Sequence, residues 1–238
     1  MSPPLAPDPD DASATEVRLR LLQSLVHRLV DVRETEQMAE AVVCTAVGQP
    51  GVVSARVFLL DDEVLRSIAS SGVPSAADAF SEIALDADLP AAEVVRSGLP
   101  VHAVDLAALY ARYPSFGEVA PYPHEHSLHI VPLRIEGVVT GLLTLTFVSD
   151  ALADDAQRQF VTAIADTLAQ AIERGRVTRR VEAERERELA LLTAQADALA
   201  AVVSGEPLVS VLDELLRTVE RASSEGVLAS VLLLDDDA

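Results

Sequence analysis

The chain has 238 residues, half of them hydrophobic, with 38 acidic against 18 basic side chains and a formal net charge of −20. That balance argues against nonspecific nucleic-acid or anionic-membrane binding, because phosphate contacts need clustered Lys and Arg. No apolar stretch approaches the ~20 residues that span a bilayer, and the single cysteine, Cys44, excludes an intramolecular disulfide framework and fits a reducing cytoplasm. Every basic residue is arginine. With the abundance of Ala, Val and Asp this reads as GC-rich coding bias of the actinobacterial kind, a statement about composition alone.

The opening stretch, MSPPLAPDPDDASA, lacks the basic and apolar regions of a signal peptide. Its Pro and Asp content predicts a disordered tail over residues 1–15. Val17–Val30 carries Leu21, Leu22, Leu25, Leu29 and Val30 at helical spacing. Thr35–Val47 predicts a second helix, with Met38, Ala41, Val42 and Thr45 on one stripe and GQPG as its stop. Cys44 lies within it, where a buried free thiol is the common case. SARVFLLDDE then reads as a strand ending in an acidic turn, and VLRSIASSG as its hairpin partner.

Residues 73–127 break into small pieces, the place for a binding loop or lid. Ala79–Leu85 predicts a short strand. LPAAEVVRSGLP predicts a helix with Pro inside its start and Gly past its end. VHAVD reads as a strand and LAALYARYPSF as another short helix. SLHIVPLRIEG and VVTGLLTLTF form the clearest hairpin, turning at Glu136-Gly137. Both strands are apolar at nearly every position, which predicts a sheet covered on both faces.

A single proline-free helix is expected from about Asp154 to Val203. Phe160, Ile164, Leu168 and Ile172 form a stripe for the sheet. RRVEAERERE is too charged to lie on a core. Leu189, Leu192, Ala196, Leu199 and Val203 then alternate at spacings of three and four, an a/d seam suited to a parallel dimer stalk over residues 177–205.

The final apolar run, ASVLLLDD from Ala229, repeats ARVFLLDD from Ala55 at an offset of 174 (229 − 55). At the same offset Met38 meets Leu212, Ala41 meets Leu215 and Val42 meets Leu216. A repeat of this length points to domain duplication. On this reading residues 206–238 are the start of a second copy, with Ala229–Leu234 as its first strand.

The order helix, helix, strand SARVFLLDDE, strand, broken middle, hairpin VPLRIEGVVTGLLTLTF with Gly137 and Gly141, and C-terminal helix resembles a GAF domain over about Arg18–Arg176. SGLPVHAVDLAALYARYP and FVTAIADTLAQAIERGR look like GAF domains of actinobacterial signalling proteins. The resemblance implies an α+β fold over residues 16–176: a five- to six-stranded antiparallel sheet, terminal helices on one face, and a small-molecule pocket on the other. Such domains bind cyclic nucleotides, bilins, haem or small metabolites, or serve only to dimerise. They sit upstream of output domains and signal through coiled helices.

Within that frame Thr144 and Thr146 are candidate pocket residues, being polar on one face of an apolar strand; β-propensity alone also explains them. The family geometry adds Phe58 and Ile130, and the lid segment adds Phe80, Val95, Tyr110, Tyr113 and His126. Tyr110 and Tyr113, three apart, suit one helical face. PHEHSLH offers His124, Glu125, His126 and His129, but His126 and His129 differ in parity along a strand, which works against a shared metal ion. Asp61-Asp62 and Asp154-Asp155 have structural explanations, in a turn and at a helix start. The acidic charge disfavours anionic ligands unless Arg56 or Arg134 turns inward. No phosphate loop, nucleophile elbow or zinc-spaced Cys/His set appears.

The expected function is a cytoplasmic, homodimeric sensory GAF module of a larger bacterial signal-transduction protein. An unidentified small molecule would signal along the coiled coil, with no nucleic acid and no membrane insertion. The alternatives are a ligand-free dimerisation module and a haem or metal redox sensor. No catalytic residues, no metal ligands and no particular cofactor are assigned.

Overall fold

The computed structural model describes residues 9–49, 51–72, 80–119, 126–148, 155–205, 207–222, 228, 230 and 231. The chain divides into two compact units, Met1–Gly175 and Arg176–Ala238.

The first unit begins with helices α1 (Pro9–Val30) and α2 (Thr35–Val47). α1 starts inside the segment expected to be a disordered tail; a proline suits a helix's first turn, where its missing N–H has no intrahelical partner in any case. Strands β1 (Val52–Asp61) and β2 (Val64–Ser71) form the first hairpin. Of the strand expected over Ala79–Leu85, Ala79 falls outside the described residues, and among the rest only Glu82–Ala84 forms (β3). Then come α3 (Pro90–Ser97), β4 (Val101–Ala103), α4 (Leu106–Arg112) and α5 (Pro114–Val119). The one helix expected across LAALYARYPSF is thus two, because the residue before a proline is pushed out of helical conformation, and Tyr113 sits at φ −127°, ψ 76°. β5 (His126–Ile135) and β6 (Val138–Val148) form the second hairpin, turning through Glu136 (φ 51°) and Gly137 (φ 84°).

The six strands form one antiparallel sheet in the order β3-β2-β1-β6-β5-β4. Both faces are covered, as the apolar β5 and β6 sequences required. Leu21, Leu25 and Leu29 of α1, Met38, Val42 and Val43 of α2, and Phe160, Ile164, Leu168 and Ile172 of helix α6 (Asp155–Val203) pack on one face, against Ala55, Val57, Val131, Leu133, Leu143, Leu145 and Phe147. The other face is covered by α3, α4 and α5. Gly175 lets α6 approach the start of α2 closely: a Cβ there would lie 3.1 Å from Met38 Cε and 3.2 Å from the Arg33 carbonyl oxygen. Cys44 is exposed rather than buried, because it lies off the α2 stripe of Met38, Ala39, Val42, Val43 and Ala46.

The second unit contains the rest of α6 and helix α7 (Leu208–Ala222). Shifted by the 174-residue repeat, α2 would cover 209–221, within one residue of α7 at each end. Of the strand expected at Ala229–Leu234, Ser230 and Val231 are described and lie in no strand; the others fall outside the described residues.

Candidate functional site

Strand alternation sorts the sheet's side chains between two layers. Phe58, Leu128, Ile130 and Leu142 point away from α1, α2 and α6, into a second core. There they meet Leu65, Ile83, Ala91, Ala92, Val94, Leu106, Leu109, Tyr113 and Phe116, with Phe80, Val95 and Tyr110 partly buried beside them. Thr144 stands opposite Ile130, and Thr146 opposite Leu128. Both therefore share the Leu142 face. His126 alternates in step with Leu128 and Ile130 at the start of β5. All nine sequence-chosen residues thus belong to the sheet face under the lid helices, or to the lid itself. Sequence reading had missed Leu106, Leu109, Phe116, Leu128 and Leu142, whose apolar character alone did not say which layer they join.

The lid is held by specific contacts. Asp105 caps α4 by accepting from the amides of Ala107 (2.8 Å) and Ala108 (3.2 Å). Arg112 donates to both carboxylate oxygens of Glu93 at 2.8 Å, tying α4 to α3, and its guanidinium lies 5.3 Å from the Tyr113 ring centroid. Phe116 stacks between Phe80 (5.6 Å) and Tyr110 (5.9 Å). Gly117 leaves room for this: a Cβ there would come within 2.9 Å of the Tyr110 ring. Tyr110 and Tyr113 do not share a helical face, since Tyr113 is the residue that ends α4.

Two polar groups on this side lack partners among the described residues: the buried Tyr113 hydroxyl and His126 Nδ1. Arg56 is turned inward on the same face, only 6% exposed. Its Nη1 donates to the Phe80 carbonyl (3.2 Å), and its guanidinium lies 5.7 Å from the Phe58 ring. Thr144 Oγ1 donates to the Arg56 carbonyl at 3.4 Å. Arg134, the other inward candidate, is exposed and donates to the Gly98 carbonyl. A buried guanidinium, a phenol and an imidazole around an apolar floor suit a ligand with both apolar and polar parts.

A second polar cluster, which sequence reading also missed, lies on the opposite face. β4 and β5 pair His102 directly with His129. Their Nδ1 atoms are 2.6 Å apart, so one ring donates to the other. His129 is 1% exposed, edge-on to Phe147 at 5.5 Å. Its Nε2 and the Ser127 hydroxyl have no partner among the described residues. Burial foremost, then His102 and Arg158, lowers the His129 pKa to about 3. Burial and Arg158 lower that of His102. Both rings are therefore neutral near pH 7. A signal was present in the sequence, His102 in one β stretch and His126 and His129 in another, but the register that pairs His102 with His129 was not readable from it. His126 and His129 face opposite sides, as their parity predicted. His124 and Glu125 fall outside the described residues, and among those described no three His, Cys, Asp or Glu side chains are placed to hold a metal.

In the second unit, the last turns of α6 and α7 enclose a groove of about 560 Å³ lined by Ala194, Ala198, Ala201, Val211 and Leu215 among others. Leu199 borders an adjoining groove with Val211, Leu212 and Leu215. Leu189, Leu192, Ala196 and Val203 line neither groove and are exposed.

The family model for the GAF domain matches residues 32–173, well over half of the chain. The chain belongs to the GAF domain family. No curated protein matches it. Among solved structures it is similar to the GAF domain of the Acinetobacter phosphoenolpyruvate-protein phosphotransferase, at 16% identity and TM-score 0.54, covering 68% of this chain and 95% of that one. The GAF domain of A. aeolicus nlh2 in an inactive state matches at 17% identity and TM-score 0.54, covering 66% and 95%. Free methionine-R-sulfoxide reductase from Neisseria meningitidis, in complex with its substrate, matches at 16% identity and TM-score 0.55, covering 74% and 98%. At such identities the likeness establishes the fold. No helix among the described residues is long and apolar enough to cross a membrane.

Proposed function

We propose that this chain is a cytoplasmic sensory module of a larger bacterial signalling protein, binding a small molecule between the sheet and the lid of α3, α4 and α5. The observation that carries this reading is that Tyr113 Oη and His126 Nδ1 have no partner among the described residues, on the same largely apolar side of the sheet as inward-turned Arg56. Buried polar atoms without partners are costly, and a ligand that satisfies them recovers that cost. Phe58, Phe80, Val95, Tyr110, Tyr113, His126, Ile130, Thr144 and Thr146 are the proposed lining. The ligand would act by favouring one packing of the sheet against α6 over another. Leu189, Leu192, Ala196, Leu199 and Val203 would form the dimer seam of a stalk over residues 177–205. Residues 206–238 would begin a second GAF copy, a reading supported by the matching positions of α2 and α7. The exposure of Leu189, Leu192 and Val203 supports the seam.

We infer no catalytic role. Sulfoxide reduction, the chemistry named for one structural neighbour, commonly uses a thiol, and Cys44, the chain's one cysteine, lies on α2, across the sheet from the lid.

A second reading, a dimerisation module without a ligand, is favoured by the close packing of the lid face, where Phe58, Ile130 and Tyr113 are already buried against lid residues. Native mass spectrometry of freshly purified protein, followed by denaturation of the same sample, separates the two. A dimer carrying a mass that is lost on denaturation supports the sensor, and a haem- or metal-sized increment would point to a redox sensor instead. A bare dimer favours the dimerisation module. A monomer removes the stalk from both.

A further inference from the structure

The His102–His129 pair sits on the sheet face away from the lid, at the edge where β4 meets β5 and the first turns of α6 arrive. We propose that this pair is a proton-operated latch that holds the N-terminal turns of α6 on the sheet when both rings are neutral and releases them when protons are added. The proposal concerns the first unit alone and does not depend on a ligand or on the stalk.

Two neutral imidazoles carry two ring protons and two lone pairs. With the Nδ1 atoms 2.6 Å apart, one proton and one lone pair are committed to the bridge. A first added proton goes to the outer nitrogen of the donor ring and leaves the bridge intact, but creates a cation there, and the repulsion between this first charge and Arg158 is the step that loosens α6. A second must take the bridging lone pair itself. Two N–H groups then face each other across a gap that accommodates only one proton, and the rings must part.

The charged groups facing the pair decide what moves. From α6 comes Arg158, which is ion-paired with Asp155 in the same turn. β6 contributes the uncharged Phe147 ring, and β5 the Ser127 hydroxyl. Among the described residues the nearest formal charge acting on the rings is thus positive, so each added proton is repelled by α6. Phe160 and Val161, in the core they share with Leu143, Leu145 and Phe147, hold this end of α6 against the sheet. The half-buried His102 is within reach of solvent protons, while His129 is sealed. Protons therefore enter at the edge strand, and the response falls on the start of the helix.

The test uses the full chain with ¹⁵N-labelled histidine, titrated by NMR from pH 8 to pH 4.5, alongside hydrogen exchange of residues 155–165 corrected for intrinsic pH dependence. The expected result is that His102 titrates below its ordinary value, His129 responds at the same midpoint, and α6 protection falls about tenfold across that midpoint. H102Q should make protection flat with pH. R158Q, a change on a partly exposed side chain, should raise the His102 midpoint and shrink the loss of protection; it keeps the test decisive if H102Q fails to fold. His102 titrating at its ordinary value without a response from His129, or an unchanged loss of protection in R158Q, would overturn the latch.

Discussion

Lowering the pH should unfold this domain through one identifiable side chain, and the size of the effect follows from the structure. His129 is sealed between the sheet and α6 with its pKa lowered to about 3, burial being the main cause. In the unfolded chain it returns to about 6.5. Between these values the unfolded state binds the extra proton, so stability rises with pH there. The contribution is fully present above about pH 6.5 and is lost progressively as the pH falls toward 3. Moving from pH 8 to pH 5 should therefore cost about 2 kcal/mol from His129 alone. For a urea slope of about 2 kcal/mol/M, that is a fall of about 1 M in the unfolding midpoint. The assay is urea unfolding followed by circular dichroism at several pH values, on the wild type and on His129→Phe. The phenyl ring keeps the apolar contact with Phe147 and cannot titrate. Its midpoint should lose most of the pH dependence between 8 and 5. If His129→Phe shows the same acid-side slope as the wild type, the reasoning fails and carboxylates are responsible.

Three further outcomes are expected. Gly141→Ala places a Cβ 2.3 Å from the Phe58 carbonyl oxygen, in the register where β6 pairs with β1; since this contact is backbone and cannot swing aside, a loss of about 3 kcal/mol is expected by thermal unfolding. Asp105→Ala removes the acceptor for two α4 amides and should cost about 1 kcal/mol, with increased hydrogen exchange confined to residues 106–112. Tyr113→Phe deletes a hydroxyl that has no partner among the described residues, so stability of the ligand-free protein should stay level or rise, while any mass retained in native spectrometry should be lost. A marked loss of stability in Tyr113→Phe would show that the hydroxyl is already satisfied.

Much of this architecture was legible in the chain. The α6 boundaries, the turn at Glu136-Gly137 and the double coverage of β5 and β6 follow from local signals: an uninterrupted run without proline, a glycine free to take positive φ, and strands apolar at nearly every position. The lid was less legible. Pro114 splits what reads as one helix, and of the described part of the strand expected over Ala79–Leu85 only Glu82–Ala84 is extended. Short elements carry too few residues for periodicity to fix their ends, and tertiary packing decides them.

Local spacing determined most elements of this protein, and strand parity determined that Thr144 and Thr146 share a face, because alternation along a strand is a property of the backbone alone; Phe58 and Ile130 were placed with them by the family resemblance. Only the tertiary structure decided that Arg56 turns inward, that the Tyr113 hydroxyl is buried without a partner among the described residues, and that His102 meets His129. Those facts depend on the register of strands and helices far apart in the chain. Register is set by the summed packing of both layers, which no single stretch of sequence contains.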